Sequence, residues 1–171
     1  TAIPTAGLVL HLTLEGNFND LSGNCKNGTC SGAAFPTPAT GKIGNAYSFD
    51  GTDDYINIAD TANSVFDIAN QVTVAAWVKI NGITGNPQII THKWWSYGLW
   101  VDSAGKAYGF GGLVTNAQRY VYDTSILNVN QWYHLAYTYD GSALNIYVNG
   151  ALKKSTPMAD AIRINDSPVR I

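Results

Sequence analysis

Charge is scarce in this sequence. Lys, Arg, Asp and Glu together supply 13% of its 171 residues, about half the usual share, so much of the surface has to be built from Asn, Thr, Ser, Gly and Tyr. Glutamate is nearly absent: of twelve acids only Glu15 is a glutamate, and the rest are aspartates. Glutamate favours helices and aspartate favours turns and metal sites, so the bias points to loops and strands. No basic run exceeds Lys153-Lys154 and the net charge is −2. A nucleic-acid reader needs a basic stripe to displace counterions from phosphate, so no nucleic-acid partner is expected. Long apolar runs are missing too, and with them any expectation of membrane insertion or of a signal peptide in the printed sequence. The start at Thr1 suits a processed chain or an excised domain equally.

Cysteine is limited to Cys25 and Cys30. Four residues separate them, and Asn27-Gly28 among these is a tight-turn signal. A turn there would bring the sulfurs within bonding reach, so a disulfide is expected in an oxidising compartment. Two free thiols beside a turn are the alternative. Zinc is not expected, since a structural site wants four ligands and no second Cys/His pair follows.

What the sequence does have is alternation. Residues 8–14 set leucines on one face against Val9, His11 and Thr13 on the other. Residues 72–80, 132–139 and 143–149 alternate similarly, with Asp140-Gly141 as a hairpin turn and Asn149-Gly150 opening the next. Further strands are predicted at 46–50, 54–58, 87–92, 97–102, 106–111, 119–122 and 168–171, and a short helical turn within 61–69. About a dozen short strands predict an all-β sandwich or barrel in a single domain over 1–171.

Three segments in order carry a family resemblance: Gly41 to Tyr55 (GKIGNAYSFDGTDDY), Val72 to Val78 (VTVAAWV) and Trp132 to Gly150 (WYHLAYTYDGSALNIYVNG). Together with Leu14 to Asn24 they resemble the laminin-G-like, concanavalin-A-like jelly roll of secreted prokaryotic proteins. The resemblance implies two facing antiparallel sheets, an extracellular or cell-surface location, and a calcium site at one rim. Family members continue past a strand resembling Pro168-Val-Arg-Ile171 into a last strand that returns beside the first. With the sequence stopping at Ile171, a jelly roll lacking its last strand is expected. A separate peptide or chain would then supply that strand by complementation; a naturally short variant or a lost tail are the alternatives.

Calcium takes six to eight oxygens from carboxylates, amides and carbonyls. Glu15, Asn17, Asp20 and Asn24 crowd one Gly-containing loop and form the expected structural Ca²⁺ set, with Asp20 the best ligand by resemblance. The alternative is a polar turn in which Asp20 and Ser22 cap backbone N–H groups. Asp50, Asp53 and Asp54 form a second acidic loop, read first as a turn and only second as a cation site.

Catalysis is not expected. Glycosidases mostly place two carboxylates across the scissile bond, and no strand here carries two acids; no nucleophile-elbow motif is present either. Aromatics point instead to binding. Trp77 and Trp132 fall within apolar strands and are read as core. Trp94, Trp95, Tyr97, Tyr108, Tyr120 and Tyr122 form a candidate platform on which the C–H faces of a sugar could stack; loop closure and core-edge packing are the alternative. The partner expected is a glycan, or else a cell-surface protein engaged by an adhesion or spacer domain.

Overall fold

The computed structural model describes residues 5–31 and 35–171, and they contain strands, turns and bends but no helix. They divide into two compact units, one of residues 67–166 and one of residues up to 66 with 167–171.

In the unit of residues 67–166, alternation becomes two antiparallel sheets packed face to face. One sheet runs, in spatial order, β12 (Ala151–Pro157), β11 (Ala143–Val148), β10 (Trp132–Tyr139) and β5 (Val72–Lys79). The other contains β6 (Gln88–Lys93), β7 (Tyr97–Val101), β8 (Ala107–Gly112) and β9 (Gln118–Tyr122), each paired with the next. Successive side chains of a strand point to opposite faces, and burial follows that parity. Tyr133, Leu135, Tyr137 and Tyr139 of β10 meet Leu99 and Val101 of β7 and Val121 of β9 in one core. Transfer of such side chains out of water, at roughly 25 cal/mol per Å² of apolar area, is the main force holding the sheets together. Gly109 of β8 faces inward where Tyr137 lies directly over it; a Cβ there would overlap the ring.

The turns predicted between these strands are present. Asp140 Oδ1 accepts from Ser142 N, Ser142 Oγ and Ala143 N at 2.7–2.8 Å and so closes the β10–β11 hairpin. These bonds hold the Asp140 carboxyl down at about 2. Asn149 Oδ1 accepts from His134 N and ties the β11–β12 turn back to β10. Trp77, expected in the core, is 44% exposed. Val72, Val74, Ala76 and Val78 share the inward parity of β5, so Trp77 joins Thr73 and Lys79 outside, its ring edge-on to His134. Trp132 shares that outer face, paired opposite Lys79, whose Nζ lies over its ring.

The other unit pairs β1 (Gly28–Ser31) and β13 (Val169–Arg170) with opposite edges of β4 (Tyr55–Ile58), and sets β2 (Thr37–Thr40) and β3 (Asn45–Ser48) as a hairpin. Its core is Ile56, Ile58, Phe66 and Val169, flanked by Leu10, Leu12 and Phe18. Residues 8–14, expected as a strand, form only the single bridge Leu12↔Asp20. Their backbone is satisfied by side chains instead: Asn24 Nδ2 donates to Leu8 and Val9 carbonyls, Ser22 Oγ donates to Val9, and His11 N donates to Asp20. Residues 61–69, expected to hold a short helical stretch, contain turns at 62–63 and 65–66 but no helix.

Cys25 and Cys30 are free thiols, which corrects the disulfide expectation. The Asn27-Gly28 segment does not fold back as an isolated turn. Asn27 Oδ1 accepts from Asp20 N and Gly28 N donates to Phe18 O, while Cys30 is held in β1 against β4.

Candidate functional site

The β6–β9 sheet turns its apolar inner parity to the core, yet its outer parity is aromatic as well. Trp100 of β7, Tyr108 and Phe110 of β8, and Tyr120 and Tyr122 of β9 all fall on that outer face. The register lines them up across the strands, Trp100↔Tyr108↔Tyr122 in one row and Gly98↔Phe110↔Tyr120 in the next. Ring contacts follow that order. Tyr108 stacks on Tyr122 at 4.9 Å, Trp100 lies 5.7 Å from Tyr108, and His92 lies 5.7 Å from Trp100. Tyr108, Phe110 and His92 are buried as the floor, whereas Tyr120 and Tyr122 stay 38% and 44% exposed at one side.

The opposite side is the β6–β7 connection. Lys93 ends β6 fully buried, its Nζ paired with Asp67 Oδ1 at 3.3 Å. Ser96 N donates to Lys93 O and closes a tight turn that carries Trp94 and Trp95. Trp95 sits at φ +60°, a left-handed conformation disfavoured for a bulky L-residue. Surrounding bonds enforce it. Gly112 N donates to Ser96 O, Asn165 Nδ2 donates to Trp94 O at 2.8 Å, and Ser96 Oγ bonds the Arg163 carbonyl. Gly112 lies so close under the Trp95 carbonyl that no Cβ fits there. Strain of this kind survives where the surroundings over-determine it, and it concentrates at functional sites. Here it leaves both indoles about half exposed and edge-to-face with each other.

Between the two sides lies a cavity of about 290 Å³ lined by His92, Trp94, Trp95, Trp100, Phe110 and Tyr120, with Tyr108, Lys93 and Gln118 completing it. That volume stands near the lower end for a small-ligand site. The Gln118 side-chain oxygen is bonded by the Tyr120 hydroxyl, which leaves the Gln118 amide as a donor. Burial raises the Tyr108 hydroxyl above the ordinary tyrosine range, reinforced by Tyr122, Tyr120 and the Asp102 charge, so it is a neutral phenol. The arrangement can grip a flat, hydroxylated molecule between aromatic walls. Among the described residues, no carboxylate lines the cavity.

Of the residues expected in a platform, Trp94, Trp95, Tyr108, Tyr120 and Tyr122 do come together. Tyr97 does not: it shares the parity of Leu99 and Val101 and is buried in the core. His92, Trp100, Phe110 and Gln118 were not anticipated. The parity of Tyr108 and Tyr120 was the available signal for Trp100, Phe110 and Gln118.

The residues expected to hold calcium are each engaged by the protein. Asp20 accepts from His11 N, Ser22 N, Ser22 Oγ and Lys26 N at 2.8–3.0 Å. Burial alone would raise its carboxyl, but these bonds outweigh burial and hold it below its ordinary value. Glu15 accepts from the Asn45 backbone and amide, and Asn17 Oδ1 accepts from Asn19 N. An ion at this loop would compete with those donors for the same oxygens. Among the described residues, one group of three acids, Asp50, Asp53 and Asp54, brings its carboxyl oxygens within 4.8 Å of one another. Asp50 accepts from the Thr52 backbone at 2.8 Å, as a turn aspartate does.

Residues 50–171 match the family described as the concanavalin A-like lectin/glucanases superfamily. Among curated proteins no match is found. Solved structures share the fold. Domain 4 of AbnA, an extracellular GH43 arabinanase from Geobacillus stearothermophilus, solved with arabinotriose, is 22% identical with a TM-score of 0.74, over 96% of this chain and 82% of that one. The binding domain of Paraclostridial Mosquitocidal Protein 1 has a TM-score of 0.78 at 16% identity, over 97% of this chain and 44% of that one. The receptor-binding domain of botulinum neurotoxin D has a TM-score of 0.68 at 17% identity, over 94% of this chain and 42% of that one. With a family match across most of its length and two antiparallel sheets face to face, the chain belongs to the concanavalin A-like lectin/glucanases superfamily.

Proposed function

We propose that this chain is a non-catalytic carbohydrate-binding module of an extracellular protein, and that its saccharide lies in the aromatic cavity on the outer face of β6–β9. The observation that carries this reading is the pair of indoles held half exposed by a strained turn, opposite Tyr120 and Tyr122. Sugar rings carry apolar C–H faces that stack on such rings, while their hydroxyls take up amide and phenol hydrogen bonds. An arabinanase domain of the same fold, solved with arabinotriose, supports a saccharide as the ligand type. The lack of a carboxylate in the lining supports binding without hydrolysis.

Native affinity electrophoresis against soluble polysaccharides tests it. Wild-type protein is retarded by at least one, and Trp94→Ala and Trp95→Ala each bind that polymer about three- to tenfold more weakly while their melting temperatures stay within a few degrees of wild type. Undiminished retardation of both variants refutes the site, and turnover of any polysaccharide refutes the non-catalytic role.

A protein-engaging role is the second reading. It is favoured by the outer face of the other sheet, where Trp77 is 44% exposed beside His134, and by the edge of β5, which no strand pairs among the described residues. Strand addition by a partner peptide would use that edge.

A further inference from the structure

Resting on the carbohydrate reading of this cavity, we infer that its ligand is an uncharged glycan, bound with the chain axis across the strands, and that glycans bearing carboxylates are rejected. Two observations support this. The first is the charge of the lining. Of nine lining residues only Lys93 is formally cationic, and it is fully buried and paired with Asp67. An anion in the cavity would give up part of its hydration and gain no exposed cation in return, which disfavours it. The carboxylate charge that acts on Tyr108 of the floor and Tyr122 beside it is also of the wrong sign: Asp102 adds to the forces that keep both protonated. A glycan carboxylate would meet repulsion there.

The second observation is the direction of the rings. From Tyr122 through Tyr108 and Trp100 to His92 and then Trp94, neighbouring centroids are 4.9, 5.7, 5.7 and 5.3 Å apart. That path crosses β9, β8, β7 and β6 in turn, so it runs perpendicular to the strands, whose own spacing is about 4.8 Å. A linear sugar chain laid along it would pass over successive rings, each tilted by 23° to 66° against the next. The Gln118 amide lies to one side of the path with its oxygen already taken by Tyr120, so it donates. It therefore selects ligand oxygens that accept, such as ring and hydroxyl oxygens.

The test uses the whole chain and polymers matched in backbone but not in charge: hydroxyethyl cellulose against carboxymethyl cellulose, and linear arabinan and galactan against polygalacturonate. Affinity electrophoresis is run with each at about 50 mM and about 500 mM NaCl. At least one uncharged polymer is expected to retard the protein at least tenfold more strongly than any acidic one, with less than a twofold change between the two salt concentrations. Gln118→Lys, which adds an exposed cation to the lining, should raise retention by the acidic polymers and make it salt-sensitive. Acidic polymers retaining the wild type equally or better, or a large salt dependence on an uncharged one, overturns the inference while leaving a glycan site standing. Retention by none of them at either salt overturns the glycan reading and this inference with it.

Discussion

Replacing Trp95 by alanine and by glycine separates what its indole does from what its backbone costs. Both substitutions remove the same ring, which is edge-to-face with Trp94 at 6.2 Å and contributes one wall of the cavity. They differ in the backbone at φ +60°. An L-residue held in the left-handed region costs roughly 1–2 kcal/mol, which glycine escapes. Glycine gives back roughly 0.4–1 kcal/mol through the greater freedom of its unfolded chain. The difference leaves Trp95→Gly more stable than Trp95→Ala by about 1 kcal/mol. For a chain of this size that corresponds to roughly 2–4 °C in melting temperature, readable by differential scanning calorimetry. Saccharide affinity should fall in both variants by the same factor, about three- to tenfold for one lost aromatic contact. Equal melting temperatures, or an alanine variant more stable than the glycine one, would refute the claim that the turn is strained. Unequal losses of affinity would show that the backbone, not the indole, meets the ligand.

Gly109→Ala would drive a methyl into the fully buried Tyr137 ring; a loss of about 3 kcal/mol is expected from urea unfolding, and a neutral result would mean the two sheets can separate freely. Alkylation by iodoacetamide should label Cys25 faster than Cys30, because burial, and then the Asp54 charge, raises the Cys30 thiol and lowers its thiolate fraction. A mass 2 Da short of the reduced chain would instead reveal a disulfide. Thermal unfolding in EDTA and in millimolar CaCl₂ should coincide, since protein donors already occupy Asp20; a rise of several degrees with calcium would show that the ion displaces them. The same carboxyl gives a pH signature. Its folded value lies below its unfolded one, so its stabilisation is complete above about pH 4 and is lost as pH falls through the folded value. Asp20→Asn should flatten that acid-side decline, and an unchanged decline would assign it to other groups.

Most of the β6–β12 architecture was legible because its two sheets bury one parity of each strand, and β10 in particular alternates buried and half-buried residues along its whole length. Residues 8–14 alternate just as well, yet alternation only says which face is apolar. Which groups satisfy the backbone there is decided by Ser22, Asn24 and Asp20, polar residues up to sixteen positions away. Trp77 was misread by its apolar neighbours when parity with Thr73 and Lys79 placed it outside, and Tyr97 was misread the opposite way. The exposure of Trp94 and Trp95 was legible from their adjacency. The strain at Trp95 was not, because it is imposed by Asn165, Arg163 and Gly112, which meet the turn only in the folded chain.

The five tryptophans fall on different surfaces, and their indole N–H resonances can be followed one by one in a ¹⁵N–¹H spectrum during titration with an uncharged oligosaccharide. Signals of Trp94, Trp95 and Trp100 should shift in proportion to saturation, while those of Trp77 and Trp132, on the outer face of the other sheet, stay in place. Shifts confined to Trp77 and Trp132 would put the ligand on the wrong sheet and contradict the account.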